Sequence, residues 1–129
     1  RLNDTLGHQQ GDEVLKAVGE LLRHVCREID VPARFGGDEF CVLLPHTALD
    51  ASCRVARRIS ERFEIRMDRM RLGEACPGIS IGIGHRDVST PPTAEELVRH
   101  ADEAMYAAKA GRQQVMVKTM AGHAFKRAG

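Results

Sequence analysis

Two adjacent carboxylates follow a pair of glycines in the first half of the chain. Residues 34–40 read Arg-Phe-Gly-Gly-Asp-Glu-Phe, with apolar residues on both sides. Two short apolar runs joined by a Gly-Gly dipeptide predict a β-hairpin, and Gly36 and Gly37 let a ligand approach the backbone. Asp38 and Glu39 repel each other unless a cation lies beside them, and Mg²⁺ with a nucleotide phosphate fits that role. The alternative is an ordinary hairpin with solvated acids.

A second polar pair, Asn3 and Asp12, lies in a segment rich in Asn, Asp and Gly. A turn Asn and a helix-capping Asp explain the same two residues without any ligand.

Arg27 and Asp30 lie three residues apart, just ahead of the hairpin. Taken alone, an arginine and an aspartate at this spacing are a solvated pair, and the pattern is common.

Helices and short strands must position these groups. Thr47 can cap a second helix, and Thr93 with Glu96 forms a capping box before a third. The predicted helices cover 11–27, 48–66 and 93 to about 109. Besides the hairpin strands, we expect a strand within 75–85 and another over 115–117. The remaining predicted segments are loops over 1–11 and 67–74 and a frayed tail over 119–129.

The composition limits the class of protein. The chain has 129 residues, enough for one domain; 43% are apolar and 29% charged, which is typical of a soluble globular protein. A formal net charge of +1 argues against a DNA- or RNA-binding surface. No apolar run reaches the length of a membrane span. The cysteines at 26, 41, 53 and 76 match neither metal-site nor disulfide spacing, so we expect reduced structural thiols in a cytoplasm.

The pentapeptide from Gly36 to Phe40 resembles the signature of the GGDEF family, the diguanylate cyclases. Residues 3–12 are similar to the family's second motif, residues 79–84 to its SxG strand, and residues 101–109 to its penultimate motif. The resemblance implies a GGDEF domain over 1–118 and a tail over 119–129. The implied fold is α/β, a mixed β-sheet flanked by helices, like the palm of nucleotidyl cyclases.

The resemblance also implies a reaction, the condensation of two GTP into cyclic di-3′,5′-GMP with release of pyrophosphate. Asp38 would bind Mg²⁺ or Mn²⁺, and Glu39 would support the metal or help to activate the attacking hydroxyl. Asn3 and Asp12 would bind guanine, because a carboxylate accepts from guanine N1–H and N2–H₂ and an amide donates to N3 or O6, whereas adenine has the opposite donor and acceptor order. Gly36 and Gly37 would admit the substrate to the backbone. Each domain would hold one GTP, so the competent unit would be a homodimer.

Lys109 and Arg112 match the family's contacts to the β- and γ-phosphates. The alternative is two cations at a helix C-terminus, where they are stabilising in any case. The family has one more residue between this Lys and the Gly-Arg that follows it, so the reach of Arg112 is open. Arg27 and Asp30 match the family's product-inhibition motif, which binds cyclic di-GMP: an arginine can fork onto a phosphate or stack on a guanine, while a carboxylate accepts from the guanine edge. Arg58 matches an arginine that some family members use to contact the inhibitor from a neighbouring domain.

A catalytically silent cyclic di-GMP or GTP sensor is the alternative function, and a purely structural dimerisation domain is a third. The sequence starts after the family's first strand and its Asp-x-Asp-x-Phe-Lys motif. We therefore expect a fragment that is a poor enzyme alone, with a sensory or regulatory domain upstream. The expected location is cytoplasmic, whether or not the whole protein is anchored to a membrane.

Overall fold

A computed structural model describes residues 2–86, 93–111, 115–119 and 126–127. The chain divides into two compact units. Unit 1 comprises Arg1–Thr47 and Glu61–Gly78, and unit 2 comprises Ala48–Ser60 and Ile79–Gly129.

Unit 1 begins with two helices, α1 (Leu2–Leu6) and α2 (His8–Val25). The predicted loop over 1–11 is therefore wrong, because only Gly7, with φ 77°, interrupts the helical backbone. The N–H of Gly11 donates to the Gly7 carbonyl at 3.0 Å, and Gly11 is itself buried. Packing at this buried position outweighs the weak helix propensity of the segment. The buried side chains of α2 recur at helical spacing: Val14, Ala17, Val18, Leu22 and Val25.

The predicted hairpin is confirmed. Strands β1 (Val31–Gly36) and β2 (Glu39–Leu43) pair antiparallel, with Val31 opposite Leu43 and Ala33 opposite Cys41. Exposed apolar side chains remain on this two-stranded sheet, and Phe35 is 64% exposed.

Helix α3 runs from Leu49 to Met70, so the predicted end at 66 is four residues early. Phe63 and Met67 in its second half are buried, and their i, i+4 spacing continues the apolar stripe past the predicted end. A 3-10 turn follows at Gly73–Ala75, at the end of the predicted loop over 67–74.

Unit 2 contains a mixed three-stranded sheet. Strand β3 (Ile81–His85) pairs parallel with β4 (Val115–Thr119), and β4 pairs antiparallel with β5 (Lys126–Arg127). The predicted α/β class with a mixed sheet is confirmed. The prediction that the tail carries no regular structure is wrong at Lys126–Arg127, since backbone pairing does not require an apolar pattern.

Helix α4 (Ala94–Ala110) packs on β3, and its predicted capping box is confirmed. Thr93 Oγ1 accepts from the Glu96 N–H at 3.2 Å, and Glu96 Oε2 accepts from the Thr93 N–H at 3.0 Å. A Cβ at Gly82 would collide with the Ala101 carbonyl oxygen. The small residues of β3 therefore let the backbone of α4 approach the sheet.

All four cysteines are free, as predicted, but they differ in exposure. Cys53 is buried and Cys76 is exposed, with Cys26 and Cys41 between them. Burial raises the pKa of the Cys41 and Cys53 thiols, which disfavours the reactive thiolate at both. Among the helices of the described residues, none is both long and apolar enough to cross a membrane.

Candidate functional site

The turn between β1 and β2, residues 36–39, is here called the glycine turn. Gly36 pairs with Glu39, so the two-residue loop is Gly37–Asp38, one residue later than the Gly-Gly dipeptide suggested. Gly37 has φ 54°, and Asp38 is not among the described residues with positive φ. Glycine first in a two-residue loop is typical of a type II′ turn, whose twist matches that of the strands. Asp38 thus lies at the tip of the hairpin rather than on a strand.

The two carboxylates of the glycine turn are open. Asp38 and Glu39 are both exposed, and neither carboxylate forms a hydrogen bond or an ion pair with any residue that the structure describes. A Cβ added at Gly36 or Gly37 would meet nothing within 4 Å, so the backbone there is open to a ligand.

Such a pair fits one class of metal site. Mg²⁺ takes oxygen ligands, keeps several waters and uses one or two carboxylates together with substrate phosphates. Within residues 2–86, 93–111, 115–119 and 126–127 no three His, Cys, Asp or Glu side chains gather around one point. The glycine turn therefore suits a divalent cation that phosphate oxygens help to hold, and not a cation enclosed by protein alone.

Arg34 closes the glycine turn, a role that the sequence reasoning missed. Its Nε and Nη2 both donate to the Gly37 carbonyl, at 3.0 and 2.7 Å. The β1–β2 pairing shifts between Arg34 and Gly36, which leaves Phe35 as an extra residue. The side chain thereby ties the strand to the loop that carries Asp38. An arginine three residues before a turn carbonyl is the signal that could have found it.

The structure places Asp12 differently from the prediction. Because α2 begins at His8, Asp12 lies one turn inside the helix and neither caps it nor lies in its first turn. Its carboxylate is exposed and has no partner in the described part of the chain. The backbone of Asn3 lies in α1 rather than in a turn, and its side chain is outside the described residues.

Arg27 and Asp30 bind each other at the end of α2. The helix ends at Val25, two residues earlier than predicted, and the Asp30 N–H donates to the Arg27 carbonyl at 3.0 Å. The Asp30 carboxylate accepts from the Arg27 backbone N–H at 2.7 Å, from Nη2 at 2.8 Å, and from Nε at 3.1 and 3.2 Å. The Asp30 side chain is 2% exposed and that of Arg27 51%.

Two residues from the loop after β2 complete this group. Arg27 Nη2 donates to Thr47 Oγ1 at 2.7 Å and to the Pro45 carbonyl at 3.1 Å. The Thr47 hydroxyl in turn donates to the Pro45 carbonyl at 2.9 Å. We call Arg27, Asp30, Pro45 and Thr47 the Arg27 cluster. Thr47 was predicted only as a helix cap, and nothing local in the sequence indicates this contact.

The charges of the Arg27 cluster stabilise each other. Hydrogen bonds from the Arg27 side chain hold the pKa of the Asp30 carboxyl below its ordinary value, although burial works in the opposite direction. The same side-chain hydrogen bonds raise the pKa of Arg27. Asp30 is therefore ionised at neutral pH, as a buried carboxylate with a bidentate partner is expected to be.

Arg58 and Lys109 belong to unit 2. Arg58 lies on the exposed part of α3, and Lys109 lies exposed in the last turn of α4. The Gly111 N–H closes that helix by donating to the Ala107 carbonyl at 3.0 Å. Arg112 is outside the described residues, so its predicted phosphate contact stays a prediction.

The family described as diguanylate cyclase, GGDEF domain, matches residues 1–114. The chain belongs to the GGDEF-domain family. The response regulator PleD of Caulobacter vibrioides is 39% identical to this GGDEF domain over 120 residues, 92% of this chain and 26% of PleD. Diguanylate cyclase DosC of Escherichia coli is 37% identical over 115 residues, 88% of this chain and 25% of DosC.

A solved structure supports the same assignment. The GGDEF domain of DgcB from Caulobacter crescentus, crystallised in complex with c-di-GMP, matches this GGDEF domain with a TM-score of 0.73. The two are 27% identical, and the match covers 94% of this chain and 71% of that chain. This GGDEF domain spans about a quarter of the length of PleD and DosC.

Proposed function

We propose that this GGDEF domain takes part in condensing two GTP molecules into cyclic di-3′,5′-GMP, with release of two pyrophosphates. The observation that carries the proposal is the glycine turn, in which two open carboxylates follow a backbone with no Cβ. The family assignment supports it, and so does the name of the relative DosC.

Asp38 is the proposed metal ligand, and Glu39 either supports the metal or accepts the proton of the attacking hydroxyl. A divalent cation bound there, Mg²⁺ or Mn²⁺, would neutralise charge on the phosphate and lower the pKa of the hydroxyl. Arg34 would hold the loop that carries Asp38, and Gly36 and Gly37 would admit the phosphate to the backbone.

Other residues bind and orient the substrate. Asn3 and Asp12 are proposed to recognise guanine, and the open carboxylate of Asp12 supports this role. Lys109 and Arg112 are proposed to contact the β- and γ-phosphates. The capping explanation for Asp12 does not apply, because the residue lies inside α2.

In this reaction the main task of the protein is to position the attacking hydroxyl and the phosphate. The 3′-hydroxyl of one GTP attacks the α-phosphorus of the other and loses its proton, while the bond to pyrophosphate breaks on the opposite side. The 3′-hydroxyl of the second nucleotide then attacks the α-phosphorus of the first and releases the second pyrophosphate, which closes the ring. Each domain would hold one GTP, so two copies must face each other, which is the proposed role of a homodimer.

The test uses the full-length gene product with GTP and Mg²⁺, and it measures pyrophosphate and cyclic product. Asp38→Ala is expected to abolish turnover, whereas Asp68→Ala, at an exposed carboxylate on α3, is expected to leave it unchanged. Normal turnover by Asp38→Ala would show that the metal assignment is wrong.

Product inhibition is the second part of the proposal. Arg27 and Asp30 form the proposed inhibitory site, with Arg58 as a contact from a neighbouring domain. The preformed Arg27 cluster supports it, as does the c-di-GMP complex of the related DgcB domain. Arg27→Ala is expected to raise the c-di-GMP concentration needed for half-inhibition by at least about tenfold, since bonds to charged groups contribute most.

A catalytically silent c-di-GMP sensor is the alternative, and the Arg27 cluster is compatible with it. The turnover assay separates the two functions. Binding of c-di-GMP without any pyrophosphate release would favour the sensor.

A further inference from the structure

Phe35 lies beside the glycine turn, and most of its side chain is in solvent. It is 64% exposed, more than any other large apolar side chain in the described part of the chain. Single exposed apolar residues are common on protein surfaces and need no explanation by themselves. Phe35 differs from such residues in two respects, its place in the hairpin and the chemistry proposed for the turn next to it.

The backbone holds Phe35 in a fixed place. Strand pairing is interrupted between Arg34 and Gly36, so Phe35 is the extra residue of a β-bulge. Bulges are frequent beside active sites, where they re-aim a side chain. The preceding residue, Arg34, donates to the Gly37 carbonyl from two nitrogens, at 3.0 and 2.7 Å. The ring therefore belongs to a backbone that is already ordered, and a partner does not have to order it on binding.

The proposed reaction requires two such turns to face each other. The 3′-hydroxyl of each GTP attacks the α-phosphorus of the other, and reacting atoms must approach to about 3–3.5 Å. Two copies related by a two-fold axis therefore place their glycine turns on opposite sides of one small ring of atoms. Phe35 precedes Asp38 by three residues, so their Cα atoms are at most about 11 Å apart. The surface around Phe35 thus lies in the region that the second copy covers.

We propose that Phe35 is an anchor of the interface between two copies of this GGDEF domain when they face each other with GTP bound. The inference rests on the proposed cyclisation, because that reaction is what requires the turns to face each other. An aromatic ring buries a large apolar area with few rotatable bonds, and aromatic residues are enriched among those that carry binding energy in interfaces.

The acidic turn makes this contact dependent on the substrate complex. Without a divalent cation, the Asp38 and Glu39 carboxylates of two facing copies repel each other. The apolar contact of Phe35 is therefore expected to form when metal and nucleotide are bound, and to be absent without them.

Cross-linking of the full-length gene product tests the contact directly. Phe35→Cys is treated with a short bis-maleimide in the presence of Mg²⁺ and 3′-deoxy-GTP, which lacks the attacking hydroxyl and so stops the reaction. We expect a covalent dimer that depends on the nucleotide and that the parent protein, with its exposed Cys76, does not form.

A residue of the same hairpin provides the matched control. Leu43 is 53% exposed and pairs with Val31 at the other end of the hairpin, about 13 Å along the strand from Glu39. Leu43→Cys is expected to give no more covalent dimer than the parent protein. Equal cross-linking of both variants would overturn the proposal, because the contact would then not be specific to the turn.

A monofunctional maleimide identifies what covers position 35. If a second copy covers it, the thiol of Phe35→Cys reacts fast in the free protein and slowly with Mg²⁺ and 3′-deoxy-GTP. Protection without nucleotide would show that another segment of the full-length chain covers the ring. Protection by nucleotide without any cross-link would show that the GTP of the same copy covers it. Either result would overturn the proposal, and so would fast reaction under all conditions.

Turnover measures the functional size of the contact. Phe35→Ala is expected to lower pyrophosphate release about tenfold or more at equal protein concentration, because truncation of an interface anchor weakens association by at least that factor. Phe35→Tyr keeps the ring and is expected to retain most of the turnover. Ile65→Ala, at a residue that is 53% exposed on α3, is the control and is expected to change nothing. Thermal melting of each variant shows whether it is folded.

The outcomes separate the inference from the proposal beneath it. Normal turnover by Phe35→Ala, with turnover abolished in Asp38→Ala, would keep the cyclisation and refute the anchor role of Phe35. A nucleotide-dependent cross-link at position 35 in a protein that releases no pyrophosphate would keep the interface and refute the cyclisation.

Discussion

The glycine turn and the Arg27 cluster both place acidic residues beside a bend, but they treat the charge in opposite ways. Asp38 and Glu39 are exposed and have no partner among the described residues. The Asp30 side chain is almost completely buried, and its oxygens accept from the backbone N–H, Nε and Nη2 of Arg27. Carboxylates without a partner are available to a cation, whereas the Asp30 carboxylate is already engaged in holding the Arg27 side chain. The contrast is between two carboxylates without a partner in the described part of the chain and one carboxylate that holds a neighbouring side chain.

This difference predicts opposite costs for removing the charge. At the glycine turn the folded state gains little from the carboxylates, so their loss affects chemistry and not stability. At the Arg27 cluster the reverse holds, because loss of the buried Asp30 carboxylate leaves the Arg27 donors without their acceptor. Four predictions test this contrast, from the largest effect to the smallest.

Asp38→Asn is expected to lower GTP turnover about a hundredfold or more, because metal stabilisation of the phosphoryl charge amounts to several kcal/mol. The melting temperature is expected to stay within a degree or two of the parent protein, as a surface change without partners would leave it. Pyrophosphate release and calorimetric melting measure the two quantities. A large fall in melting temperature would show that Asp38 is structural and would remove the contrast.

Asp30→Ala is expected to lower the free energy of unfolding by on the order of 2 kcal/mol, since it leaves the Arg27 donors without their acceptor. Denaturant titration measures this loss. Asp50→Ala is the matched control, because Asp50 pairs with Arg54 at 2.9 Å but is exposed on α3. Equal losses of unfolding free energy in the two variants would mean that the burial of Asp30 adds nothing to the stability that its ion pair contributes.

The acid sensitivity of stability gives a third test. The folded-state pKa of Asp30 is depressed, so its stabilisation is fully present above the ordinary value of 3.8. It is lost as the pH falls below 3.8 and through the folded-state value, because the unfolded chain binds the proton first. Asp30→Asn is expected to flatten the fall in melting temperature over this range. Asp50→Asn, at an exposed pair, is expected to change the slope less, and the opposite order would contradict the assignment.

Gly37→Ala is expected to cost about 1 kcal/mol, because alanine is strained at positive φ. No atom lies within 4 Å of the added Cβ, so the cost is conformational and not a collision. Gly19→Ala, inside α2 with equally open space, is the control and is expected to be neutral or stabilising. Denaturant titration compares them, and equal effects would show that the glycine turn does not need its left-handed backbone.

Much of the architecture was predictable from the sequence because its signals are local. The two short apolar runs joined by Gly36 and Gly37 predict the hairpin, and Thr93 with Glu96 predicts the start of α4. The errors lie where packing overrides local preference. The segment before Gly11 is helical despite its turn-rich composition, and α3 continues to Met70 because Phe63 and Met67 remain on a buried face.

The candidate site divides in the same way. The sequence indicated Asp38, Glu39, Arg27 and Asp30 through residue types and spacing. It did not indicate that Arg34 donates to the Gly37 carbonyl, nor that Asp30 is buried and paired with Arg27. Spacing along a chain indicates which groups can come into contact, but it does not indicate whether their donors and acceptors already have partners.

The sequence by itself determined the family, the hairpin with its acidic tip and the residue types of the two polar regions, because each depends on near neighbours in the chain. Only the tertiary structure decided that the Asp38 carboxylate is exposed while the Asp30 carboxylate is buried and paired with Arg27. That outcome depends on where α2 ends and where the loop of Pro45 and Thr47 returns, eighteen and twenty residues after Arg27. Contacts at such separations follow from packing and chain path, which no local pattern of residues encodes.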